Sequence, residues 1–154
     1  MSATVGLGAA LLLPSSLYLG MGFTLVILMF PGALATTDAA SFPQRFGDPV
    51  RRAVAFFTVV SLLMVAGGIW LTGLEWDEGS RRLLPLAFVV LVVAATSYTV
   101  AFILPVNRAL YRDVPDPAAF RSLLQRWIRL NTVRAGMWGL QWVVLAVWLV
   151  VVAS

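Results

Sequence analysis

Four long stretches of this chain carry no charge, and they constrain its fold more than any other feature. They run over 1–37, 53–74, 83–107 and 135–154. Each reaches the roughly 20 apolar residues that a helix needs to cross a hydrocarbon layer of ~30 Å. Inside that layer backbone N–H and C=O groups find no water, so each crossing segment must satisfy them itself by forming a helix. The expected fold is all-α: an integral membrane four-helix bundle in a single domain, 1–154, with spans near 7–33, 53–74, 84–106 and 131–153. A hydrophobic content of 60% and a mean hydropathy of +0.91 agree with the membrane class. The first span has no Lys or Arg before Arg45 and exceeds the apolar core of a secretory signal, so it is read as a retained helix.

The charges between the spans give an orientation. All 11 basic residues are Arg. Arg45, Arg51 and Arg52 lie in or beside the first connection, and Arg108, Arg112, Arg121, Arg126, Arg129 and Arg134 in or beside the third. The second holds only Arg81 and Arg82, with Glu75, Asp77 and Glu78 in a turn expected to be solvated. Cations favour the cytoplasmic side, so connections one and three are expected there and both termini outside, in a bacterial cytoplasmic membrane. The net charge of +4 and pI near 10.7 are accounted for by headgroup contacts, and nucleic acid is not an expected partner.

Composition narrows the chemistry. There is no Cys and no His. Thiol chemistry, the commonest metal ligand and the usual general base are therefore missing. No nucleotide-binding glycine pattern, metal-ligand cluster or nucleophile elbow occurs, so neither a cofactor nor a metal is expected. Catalysis would rest on carboxylate, Tyr, Arg, Asn, Ser or Thr, or on the acidity of the substrate itself.

Local signals place the helices. Asp48-Pro49 and Asp116-Pro117 each read as a helix start. From Pro117 the pattern runs unbroken to Ala153, on the order of 55 Å at 1.5 Å per residue. That exceeds the membrane, so the N-terminal part of the fourth helix is expected to be cytoplasmic or interfacial, with Phe120, Leu123, Leu124 and Trp127 covering the bundle mouth. Ser16, Gly20 and Thr24 form a small-residue face suited to close helix packing. Phe42 and Phe46 belong to a short segment expected to dip into the membrane surface. Pro105 lacks an N–H and clashes with the carbonyl of Ala101, so helix 3 should kink or end there. If it continues, Thr96, Thr99, Ile103 and Asn107 share a face.

The most informative residues lie on helix 4. Phe120, Leu124, Trp127, Asn131, Arg134, Trp138 and Trp142 follow in steps of three and four, which is one helical stripe. The stripe is apolar at both ends and should face inward, carrying Asn131 and Arg134 with it. Arg126 and Arg129 fall on the opposite face. An inward guanidinium needs an anionic or carbonyl partner. That partner is either a carboxylate of the first connection, Asp38 or Asp48, or a ligand. Trp127, Trp138, Trp142 and Gln141, with Tyr98 and Asn107 from helix 3, are the candidate substrate-binding and anchoring groups around Arg134 and Asn131. Packing and interfacial anchoring are the structural alternatives for each.

Four spans in about 150 residues, the segment Pro105-Val106-Asn107-Arg108-Ala109-Leu110 and the segment Arg126-Trp127-Ile128-Arg129-Leu130-Asn131-Thr132-Val133-Arg134 together resemble the anthrone-oxygenase-like family of small membrane proteins. The resemblance implies oxygenation of an apolar polycyclic aromatic, such as anthrone to anthraquinone, without bound metal or flavin; the inward Arg and Asn with aromatic walls also suit a related tailoring enzyme acting on an isoprenoid. In that reading Arg134 and Asn131 stabilise an enolate, Asn107 orients the ring, and Trp127 and Trp138 sandwich it. Thr132 stands where relatives often carry His, which speaks against a mechanism needing an imidazole. The competing readings are a non-catalytic subunit that binds lipid or assembles with another membrane protein, a homo-oligomer included, and, more remotely, a small-solute carrier.

Overall fold

The computed structural model describes residues 3–112 and 116–153. Six helical segments form four rods: α1 (Ala3–Phe23) with α2 (Phe30–Thr36), α3 (Asp48–Leu74), α4 (Leu83–Tyr98) with α5 (Leu104–Leu110), and α6 (Pro117–Ala153). No strand occurs among the described residues. Four helices, Ala3–Thr36, Arg45–Leu74, Gly79–Leu110 and Pro117–Val152, are long and apolar enough to cross a membrane. Asp116 and Pro117 start α6 as the sequence predicts. The Asp116 carboxylate accepts hydrogen bonds from the amides of Ala118 at 3.0 Å and Ala119 at 3.3 Å, satisfying donors that the first turn leaves open.

Two rods are interrupted in the same way. A π-turn, Thr24–Met29, precedes Pro31, and another, Thr99–Ile103, precedes Pro105. Neither proline has an N–H to bond four residues back, so the chain widens before it. The amide of Phe30 bonds to the carbonyl of Leu25, and that of Leu104 to Thr99, each five residues back. Helix 3 therefore neither ends nor breaks at Pro105. It widens for one turn and resumes as α5.

The rods form a square. α6 packs on α1 and α4, α3 packs on α1 and α4, and α3 and α6 face each other across the diagonal. Close approach depends on small residues in three places. Gly8 of α1 lies against the Trp148 ring, and Gly22 lies against Ala135 and Trp138 of α6. Gly67 of α3 receives Leu11 of α1, while its neighbour Gly68 receives Phe88 and Val89 of α4.

The buried face of α1 is Gly8, Leu11, Ser15, Tyr18 and Gly22. Ser16, Gly20 and Thr24, the face expected to pack, are exposed, about one position off the face that does. Lipid and protein interior are equally apolar, so α1 has no strong apolar–polar contrast to mark its inner side. Phe42 and Phe46 are likewise buried in the protein, against Trp127, rather than dipping into the surface. Glu75 is also buried and paired with Arg81 at 3.1 Å, not solvated.

Two apolar clusters result. One holds Leu11, Tyr18, Met64, Leu71, Phe88, Val92, Ala95, Trp138, Leu145 and Trp148. The other joins Phe30, Ala33, Phe42 and Phe46 to Val106, Leu110, Phe120, Leu124 and Trp127. Arg134, Asn131 and the two π-turns lie between them.

The observed register makes a direct prediction. A side chain at Gly22 would start 3.1 Å from Ala135 Cβ, whereas Gly20 has nothing within 4 Å. Gly22→Leu should lower unfolding stability in detergent by about 1–3 kcal/mol through overpacking. Gly20→Leu should be near neutral, and equal effects would mean that α1 packs on another face.

Candidate functional site

Between the two clusters lies a cavity of about 410 Å³. All four rods line it, and it falls in the size range of small-molecule sites. One end is closed by Tyr18, Phe57 and Trp138. Tyr18 meets Phe57 edge-on at 4.8 Å and Trp138 at 4.9 Å between ring centroids. The Tyr18 hydroxyl donates to the carbonyl of Phe57 at 2.8 Å. That oxygen has no proton to give, so the 2.7 Å bond between Tyr18 and Ser61 is donated by Ser61. Phe46 and Trp127, 5.4 Å apart, close the other end.

Most wall hydroxyls are already used. Thr58 donates to Val54, Thr96 to Val92 and Thr99 to Ala95, each along its own helix. These threonines offer the cavity mainly methyl groups. Its polar character is concentrated on Arg134, Asn131, Asn107 and, at the rim, Arg45.

These groups are held by a chain of hydrogen bonds. Arg134 Nη2 donates to Asn131 Oδ1 at 2.5 Å. Asn131 Nδ2 donates to the carbonyl of Trp127 at 2.8 Å. The Trp127 indole N–H donates to Asn107 Oδ1 at 2.6 Å, which ties α6 to α5. The Arg134 guanidinium lies over the Trp138 ring, 4.5 Å from its centroid. Its buried Nε has no hydrogen-bond partner.

Among the described residues no carboxylate pairs with Arg134 and none lines the cavity. Asp38 is engaged elsewhere. The Ser41 hydroxyl and amide hold its carboxyl below the usual range, with help from Arg45. The Asp48 side chain, the other expected partner, lies outside the described residues. The partner found for Arg134 is thus a neutral amide oxygen and an aromatic face.

Arg134, Asn131, Asn107, Trp127 and Trp138 all line the cavity. Tyr98, Gln141 and Trp142 do not. Tyr98 leans on Phe102 at 5.1 Å, Gln141 is buried beyond Trp138, and Trp142 donates to Ser16 on the outer face of α1 at 2.9 Å. Beyond Trp138 the buried stripe continues through Gln141, Leu145 and Trp148, one position off the expected Trp142. Trp127 and Trp138 bracket the cavity at opposite ends and do not sandwich a ring. They are eleven residues apart, on the order of 16 Å along the helix.

Tyr18, Phe57 and Ser61 were missed by sequence reasoning. Their types and spacing carry no motif, and the one signal, a Tyr amid an apolar span, is a common packing feature. Among the described residues no group of three His, Cys, Asp or Glu side chains is placed to hold a metal.

A family model described as anthrone oxygenase matches residues 46–152. The chain belongs to the anthrone oxygenase family. The match covers Asn107, Trp127, Asn131, Arg134 and Trp138, while the α1 wall with Tyr18 precedes it. No curated protein and no solved structure matches the chain.

The Trp127–Asn107 bond fixes the polar side of this family member's cavity, and one substitution isolates it. Trp127→Phe keeps an aromatic ring but leaves a buried amide oxygen without its donor. It should cost about 1–3 kcal/mol of unfolding free energy in a detergent titration. Asn107→Leu should partly restore stability in the Trp127→Phe background but not in the wild type.

Proposed function

We propose that this protein binds an apolar aromatic ketone of the anthrone type and oxidises it with O₂, using Arg134 to stabilise the enolate. The observation that carries this reading is the guanidinium of Arg134, turned into an apolar cavity with no carboxylate beside it among the described residues. A charge so placed favours an anionic guest, because Coulomb attraction strengthens as water is excluded. Arg45 at the rim adds a second positive group.

Anthrone-type compounds are carbon acids, since removing the methylene proton makes the central ring aromatic. With no carboxylate in the described lining, the acidity comes from the substrate, enhanced by the field of Arg134, and the proton leaves to water. The enolate passes one electron to O₂, giving superoxide and a carbon-centred radical. These combine at the methylene carbon to form a C–O bond, the resulting peroxide anion takes a proton back from water, and the hydroperoxide then loses water to leave a second carbonyl. Anthrone and O₂ give anthraquinone and water, so the substrate supplies all four electrons that O₂ takes up and no external reductant is required.

In this reading Asn131 orients Arg134 and does not bind the oxyanion itself. Its oxygen receives the guanidinium and its amide nitrogen holds the Trp127 carbonyl. Asn107 keeps its amide hydrogens for the ring substituents of the substrate, since its oxygen is occupied by Trp127. The arginine distribution supports placing both termini outside, in a bacterial cytoplasmic membrane.

Replacing Arg134 with Met keeps the volume and removes the charge. Quinone formation from anthrone in membranes should fall by about 10²–10³-fold, as for loss of one oxyanion donor. Asn131→Leu should show a smaller loss. Unchanged rates in folded Arg134→Met would eliminate the catalytic role and favour a packing function for this residue.

A further inference from the structure

The cavity wall is uneven, and its weakest part faces outward. α3 is pinned to its neighbours at Gly67 and Gly68, and again where Tyr18 bonds to Phe57 and Ser61. Towards its start the wall opens. Val54 and Thr58 of α3, with Thr96 and Val100 on the neighbouring rod, line the cavity and are exposed. Val54 is 44% exposed and Val100 58%. Exposed side chains that line the cavity mark its rim, which also includes Arg45, Met21 and Met29.

These residues sit in the apolar stretches of two spans, so the outside at this level is hydrocarbon. On the other side of α3 the cavity is bordered by Met21, Leu25 and Met29. Their long side chains cover that gap better than Val and Thr do, and Met21 and Met29 are less exposed, at 36% and 38%.

We propose that the cavity takes its ligand sideways from the bilayer, through the opening between Val54, Thr58, Thr96 and Val100. The inference rests on the reading that Arg134 binds an enolisable aromatic. It specifies the substrate further. The opening carries no charged group, and Thr58 and Thr96 have already committed their hydroxyls to their own helices. A guest entering there dissolves in lipid and bears its ionisable oxygen at the end that reaches Arg134 on the far side of the diagonal. The substrate class is therefore a free aromatic ketone or phenol, not its glycoside and not a form tethered to a carrier. Apolar ring substituents would trail into the opening and face lipid.

The test uses the whole protein in lipid nanodiscs, with 1,8-dihydroxyanthraquinone as a fluorescent probe and its O-glucoside as comparison. The wild type should bind the free probe and not the glucoside. Thr58→Trp with Val100→Trp fills the opening and should slow probe association at least tenfold, while Val59→Trp, at an exposed position of α3 that does not line the cavity, should leave it unchanged. Val100→Ala, which only trims an exposed position, should speed association and guards against misfolding of the bulky variant. If Met21→Trp, on the α1 side of the cavity, slows entry more than the double Trp variant does, or if Val100→Ala and the double Trp variant both bind at the wild-type rate, the opening is elsewhere. Tight binding of the glucoside would also overturn the proposal. Arg134→Met separates the two claims: loss of probe affinity there, with unaltered entry through the portal variants, would retain the enolate site and reject the lateral route.

Discussion

A guanidinium with no countercharge among the described residues governs the middle of this bundle. Moving a cation out of water costs several kcal/mol unless hydrogen bonds and charges replace what water provided. Arg134 receives partial compensation from the Asn131 amide oxygen and the face of Trp138. The rest is left open, and the open side is a cavity. Much of the surrounding structure follows from holding that group in place. Asn131 is fixed by the backbone of Trp127, and Trp127 is fixed by Asn107 on the neighbouring rod.

The space in front of Arg134 has its own cause. Pro31 and Pro105 lie in different rods, yet each forces a π-turn in the preceding residues. Leu25 and Met29 from the first turn, with Thr99, Val100 and Ile103 from the second, line the same cavity. Widened turns break the regular knob packing that would let the rods close on each other, and the two apolar clusters consequently remain separate. Aromatic side chains then seal the ends, Tyr18 with Trp138 at one and Phe46 with Trp127 at the other.

The parts legible in sequence were those where polarity changes. The stripe from Phe120 to Trp138 faces inward, Arg126 and Arg129 are exposed opposite it, and Asp116-Pro117 begins a 37-residue helix. What the sequence hid were faces within uniformly apolar segments. The buried side of α1, the inward turn of Phe42 and Phe46 and the position of Tyr98 could not be read, because lipid and protein core solvate Leu, Val and Phe alike. Gln141 and Trp142 illustrate a different limit. Steps of three and four both keep a stripe roughly aligned, so far from the charged reference the assignment slips by one residue.

The central claim is that Arg134 creates a positive field for an anionic guest in a largely apolar cavity, and the guest itself can report that field. The visible absorption of 1,8-dihydroxyanthraquinone distinguishes its neutral and ionised forms, so its ionisation can be titrated while bound in nanodiscs. The account predicts that bound probe ionises at least one pH unit below probe dissolved in empty nanodiscs, about 1.4 kcal/mol of stabilisation, and that Arg134→Met abolishes the shift. Ionisation at or above the value in empty nanodiscs would contradict it, since burial alone raises the pKa of an acid.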